Sequence, residues 1–237
     1  MSASNTSGSE SGKNRNFAKP FVEETVNPWQ TVTSTCKYEN PWISVREDQV
    51  IDPSGKAGIY GVVSPKNLAL GVLPIFDDGT TVLVGQYRYA LDRYSWEMPE
   101  GGGKIGTDPA EAIARELAEE TGYQAAQWQL LHQMSLSNSV TDEWVMTWLA
   151  WDLTAGEAKP ESTEDLRVWR LPFAELVELV LDGTVFDSMT VAAVTMVETL
   201  RLRQPVERAG PGRSHSDGRP GGLSWLPDAV RTALGRR

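Results

Sequence analysis

GGGKIGTDPAEAIARELAEETGY, residues 101–123, holds the clearest helix signal in the chain. Asp108 can cap its start, Pro109 suits the first helical position, and Glu111 stands three residues after Asp108 in capping-box spacing. Gly122 supplies the stop. Inside the helix, Ala110, Ala114, Leu117 and Ala118 form a small apolar side suited to close packing on a sheet. Glu116, Glu119 and Glu120 fall at i, i+3 and i+4, which gathers three carboxylates on one face within a turn. Like charges at that spacing repel, and Arg115, four residues before Glu119, offsets only part of the repulsion. Hard oxygen donors converging from one rigid face suit Mg²⁺ or Mn²⁺. Taken alone, the pattern leaves a solvated acidic face as the alternative.

Outward from this helix, short β-branched and aromatic runs at 31–37, 42–51, 57–63, 68–76 and 80–87 predict strands, with turn signals at 52–55 and 77–79 that predict two hairpins. Further strands are expected at 127–136, 143–152 and 166–170, and amphipathic helices at 172–181 and Ser188–Leu202. Strands around one helix, followed by two helices, make a mixed α+β domain rather than a doubly wound parallel sheet. Residues 1–27 read as a disordered arm, 28–203 as the folded domain, and 204–237 as a flexible basic tail with an apolar patch at Trp225-Leu226.

Composition narrows the chemistry. The chain has 237 residues, 40% of them hydrophobic, with one Cys and two His. A single Cys excludes an internal disulfide and a Cys-rich zinc site, so any metal site is built mainly from oxygen. The net charge of −10 argues against nucleic acid as a partner. No stretch reaches the ~18 apolar residues of a membrane span, and the N-terminus lacks a signal peptide's apolar segment; a cytoplasmic protein is expected.

Gly101 and the run Arg115-Glu116-Leu117-Ala118-Glu119-Glu120-Thr121-Gly122-Tyr123 resemble the box of the Nudix hydrolases, G-x5-E-x7-R-E-U-x-E-E-x-G-U, with U a bulky apolar residue. One position departs, since Thr107 stands where the family has its first Glu. The resemblance implies a Nudix-like α/β/α sandwich with a mixed sheet and an N-terminal antiparallel strand region. It also implies Mg²⁺ or Mn²⁺ held by Glu116, Glu119 and Glu120, joined by Glu100 through its carbonyl, with Arg115 orienting a glutamate.

The segments Gln86-Tyr87-Arg88 and Trp96-Glu97-Met98-Pro99-Glu100-Gly101 resemble the branch that cleaves ADP-ribose and nucleoside diphosphate sugars. By that resemblance Arg88 contacts phosphate, Glu97 contacts sugar hydroxyls or orients Arg88, and Trp42 or Trp29 stacks on the base. Glu143, with Asp142 second, is the catalytic carboxylate of the loop beyond the box. A homodimer through the N-terminal strands is implied as well. The neighbourhood Ser137-Asn138-Ser139 lacks the Pro usual in ADP-ribose members, which weakens that substrate but not pyrophosphatase chemistry. The expected activity is metal-dependent hydrolysis of a nucleoside diphosphate sugar to two monophosphates. The competing expectations are a non-catalytic nucleotide sensor and a hydrolase of nucleoside triphosphates or dinucleotide polyphosphates.

Overall fold

The computed structural model describes residues 26–158, 165–202, 231 and 234. Most of the expected N-terminal arm and of the expected basic tail, Trp225-Leu226 included, lies outside them. Three sheets organise the described residues. Strands β1 (Gln30–Glu39), β2 (Ile43–Ile51) and β3 (Ala57–Pro65) form an antiparallel N-terminal sheet in chain order. The second, mixed sheet runs in the order β7 (Glu100–Lys104), β4 (Asn67–Pro74), β9 (Trp144–Ala155), β8 (Tyr123–Ser135), with β4 parallel to β9. The third places β5 (Thr80–Arg88) between β10 (Arg167–Pro172) and β6 (Arg93–Glu97). Helices α1 (Pro109–Thr121), α2 (Phe173–Leu181) and α3 (Ser188–Leu202) complete the fold.

The period of two along a strand makes the mixed sheet the middle of a sandwich. Leu70 and Val72 of β4, with Trp148 and Ala150 of β9, pack in one cluster with Ile113 and Leu117 of α1. The alternate residues Leu73 of β4 and Val145 and Leu149 of β9 join Phe173, Leu176, Ala193, Val194 and Val197 from α2 and α3. Both faces are therefore covered by helices, and each fully buried Leu or Ile contributes ~1.5–3 kcal/mol. This is the expected α+β sandwich with its mixed sheet and N-terminal strand region.

Helix α1 occupies the expected residues. The Asp108 carboxylate accepts the Ala110 N–H at 2.9 Å, and Gly122 ends the helix with φ +76° while donating to Ala118 O at 3.0 Å. A Cβ on Gly122 would lie 2.9 Å from Gly156 O, so both the left-handed backbone and the close passage of the chain require glycine there.

Several details differ from the sequence expectations. The turn at 77–79 does not close a hairpin, because β4 and β5 enter different sheets. Its chemistry is present, with Gly79 N donating to Phe76 O at 2.9 Å, but non-local pairing with β9 and β10 decides where each strand goes. β6 and β7 were not foreseen. Leu234, expected in a flexible tail, is only 3% exposed and joins the apolar cluster of α2 and α3. On β9, Trp144 is exposed, while Trp148 is buried. Cys36 lies exposed on β1 and not in the core.

Candidate active site

α1 presents Glu116 and Glu120 to the glycine-rich strand β7. A Cβ on Gly101 would sit 2.5 Å from the Glu116 carboxyl carbon, so the absence of a side chain lets Glu116 lie directly against the strand backbone. One turn later, Glu120 accepts the Glu100 backbone N–H at 3.1 Å and is only 2% exposed. Arg115 spans two glutamates, with Nη2 donating to Glu116 Oε1 at 2.7 Å and Nη1 to Glu119 Oε2 at 2.8 Å. The guanidinium divides its donors between the two carboxylates, which reduces the repulsion between Glu116 and Glu119.

On the other side of Glu100, Arg88 at the end of β5 meets Glu97 at the end of β6. Arg88 Nε donates to both Glu97 oxygens at 2.9 and 3.0 Å, and Nη2 donates to Glu97 Oε2 and, at 2.6 Å, to Glu100 Oε1. Glu97 is 2% exposed. This contact fixes the Arg88 guanidinium against Glu97.

Asp187 is the residue that sequence reasoning missed. It caps α3, accepting the Thr190 N–H at 2.7 Å and the Thr190 hydroxyl at 2.8 Å. That hydroxyl in turn accepts the Met98 N–H at 2.9 Å, tying the start of α3 to the segment between β6 and β7. The cap was legible as an Asp directly before an amphipathic helix, but its destination was not. Glu97, Glu100 and Asp187 each bring one oxygen within 4.8 Å of the others.

The Arg88 guanidinium thus binds two carboxylates, with Asp187 close enough to act on it electrostatically. Burial above all, then Asp187 and Glu97, push the Glu100 carboxyl well above the usual carboxylate range, with Arg88 opposing. Burial likewise raises Asp187. Burial acts to lower the Arg88 pKa, yet the hydrogen bonds to Glu97 and the surrounding carboxylates outweigh it, so Arg88 stays charged.

A cleft of about 450 Å³ opens onto this cluster, lined among others by Trp42, Arg88, Glu100, Gly101, Glu143 and Met189. Trp42, 69% exposed, stands at the end nearest the N-terminal sheet. Burial raises the Glu143 carboxyl. Its neighbour Asp142 is engaged elsewhere, accepting the Ser64 hydroxyl at 2.7 Å. The donors around the cleft are hard oxygens, and Glu100 Oε2 is buried without a hydrogen-bond partner, so this surface fits a divalent cation. Thr107, at the departing box position, donates its hydroxyl to Lys104 O at 2.7 Å in the turn before α1.

The model of the NUDIX domain matches residues 65–192, which hold β7, α1 and most of the cleft lining. The chain belongs to the NUDIX hydrolase family. A second model, the nucleoside diphosphate sugar hydrolase N-terminal domain, matches residues 29–63 of this NUDIX hydrolase, the region of β1 to β3. An ADP-ribose pyrophosphatase of Mycobacterium tuberculosis is 31% identical over 73% of this chain and 84% of its own. The ADP-ribose pyrophosphatase of Bacillus subtilis is 30% identical over 75% and 95%. Among solved structures, an ADP compounds hydrolase superposes with a TM-score of 0.67 at 21% identity, covering 74% of this chain and 95% of its own, which is likeness of fold. No described helix of the NUDIX hydrolase is long and apolar enough to cross a membrane.

Proposed function

We propose that this NUDIX hydrolase cleaves the pyrophosphate of a nucleoside diphosphate sugar, ADP-ribose foremost, to a nucleoside monophosphate and a sugar phosphate. The carrying observation is the cleft that joins the Arg88–Glu97 pair to the Glu116 and Glu120 face through Glu100 and Gly101. It sets a fixed cation beside a concentration of carboxylates, the arrangement an anionic diphosphate needs from a site that also collects divalent cations. The relatives' names support the substrate class.

In this reading Glu116 and Glu120 hold Mg²⁺ or Mn²⁺, with Glu119 and Glu100 completing the set. A cation so bound lowers the pKa of coordinated water and neutralises phosphate charge. Arg88 holds a phosphate by charge-assisted hydrogen bonds, and Glu97 keeps its guanidinium in one orientation. Arg115 keeps Glu116 and Glu119 from splaying. Trp42 offers an aromatic face to the base. Glu143, its carboxyl raised by burial, takes the proton of the attacking water as the new P–O bond forms and the bridging P–O bond breaks.

A substrate panel with Mg²⁺ and with Mn²⁺ tests this. AMP and ribose 5-phosphate are expected from ADP-ribose, with all release stopped by a chelator; pyrophosphate released from nucleoside triphosphates alone would overturn the substrate class. The catalytic unit is proposed to span residues 28–203. We also propose a homodimer through the N-terminal sheet, because every residue of β1 is exposed and Val32, Tyr38 and Ile59 leave apolar surface on that sheet. Sedimentation should give twice the 26.1 kDa chain mass, and a monomer at micromolar concentration would refute it.

A further inference from the structure

The segment from β8 to β9, residues 136–143, carries Glu143 to the cleft, and the outer edge of the N-terminal sheet holds it. Val63 of β3 donates its N–H to Val140 O at 2.8 Å and accepts the Asp142 N–H at 3.3 Å, a parallel bridge between Val63 and Thr141. The Tyr60 hydroxyl donates to Ser139 O at 2.8 Å. Side chains lock the register. Ser64 Oγ donates to Asp142 Oδ2 at 2.7 Å, and Arg46 Nη1 lies 3.6 Å from the same oxygen while donating to Ser64 Oγ at 3.3 Å. Arg46 is itself held by Asp48, at 3.2 Å from Nε. The neighbouring Glu143 lines the cleft with Arg88, Glu100 and Gly101. A free eight-residue connection would spread its conformations, and each rotamer or backbone state away from the cleft would reduce the fraction of Glu143 in reach.

We propose that Asp142 is a positioning residue: gripped by Ser64 and Arg46, it fixes the backbone from which Glu143 reaches the cleft. The N-terminal sheet is then part of the catalytic machinery. This rests on the reading of Glu143 as the catalytic base. Asp142 makes no contact with substrate in this scheme, so its loss acts on turnover and leaves binding through Arg88 and Trp42 in place.

The test uses the full chain with ADP-ribose and Mg²⁺ in the variants Asp142→Ala, Asp142→Asn, Ser64→Ala, Glu143→Gln and Asp142→Ala/Glu143→Gln. Asp142→Ala should lower kcat by about tenfold, the scale of a modest misplacement, with KM within about twofold. Asp142→Asn, which keeps an oxygen for Ser64, should recover most of the loss, and Ser64→Ala should show a smaller loss in kcat. Most discriminating is the double variant, where Asp142→Ala should add nothing to Glu143→Gln because there is no base left to position. An undiminished kcat in Asp142→Ala, or a loss that multiplies in full with that of Glu143→Gln, overturns the positioning role. Full activity in Glu143→Gln instead removes Glu143 as the base, a distinct result that ends both readings.

Discussion

Glu120→Gln is expected to cut cation-dependent hydrolysis by on the order of 10²–10³, the usual loss when one preorganised charge is removed from a site of developing charge. That is about 3–4 kcal/mol of barrier. The side chain is almost completely enclosed and accepts the Glu100 N–H at 3.1 Å, and a glutamine can turn its carbonyl oxygen to the same donor. Shape and hydrogen bond are thereby retained while the charge disappears. Folding should not suffer, since the substitution relieves repulsion from the Glu100 carboxyl. Turnover with Mg²⁺ and a thermal melt check both halves. Wild-type turnover would remove Glu120 from the cation site, whereas a collapsed melt would show that its charge serves the fold.

Arg88→Ala should damage both stability and binding. Removing the guanidinium leaves Glu97, 2% exposed, with no cation at 2.9 Å, and leaves Glu100 and Asp187 converging beside it. Breaking a buried ion pair from one side costs ~3–5 kcal/mol. Arg88 is about one-third exposed, so solvent screening brings the expectation to about 2–3 kcal/mol. For a domain of this size, that lowers the melting midpoint by roughly 4–12 °C. The companion variant Arg88→Ala/Glu97→Gln should recover much of the midpoint, because the orphaned charge is gone. It should still bind substrate poorly, with KM raised at least tenfold, because the phosphate contact is not restored. If Arg88→Ala melts like wild type and keeps its KM, Arg88 is a surface residue and the cleft assignment fails.

The two predictions draw on parts of the site that were unequally legible. The face of α1 could be read directly, because caps, stop and the i, i+3, i+4 spacing are set by residues within one helix. Glu97 and Arg88 were singled out as residues, but their pairing required β5 and β6 to lie side by side. β7 was not foreseen because Glu100–Lys104 is mostly glycine and has almost no intrinsic strand preference. It is extended because it pairs with β4, Gly102 opposite Ala69, and its glycines matter where Glu116 packs against Gly101. The expected second hairpin failed for the complementary reason: the Asp-Gly turn forms locally, but a turn does not choose the sheets that its flanking strands join.

The amino-acid sequence by itself determined the helix with its three carboxylates, the predominance of oxygen among the available ligands and the α+β class. Those follow from short-range periodicity, turn chemistry and composition. Tertiary structure decided which carboxylates meet. Asp187, ninety residues beyond Glu97, enters the cluster only because α3 packs against the mixed sheet and Thr190 reaches the Met98 N–H. It also separated Asp142 from Glu143, sending one to the N-terminal sheet and the other to the cleft. Long-range packing and hydrogen bonding between distant segments make both choices, and no local spacing encodes them.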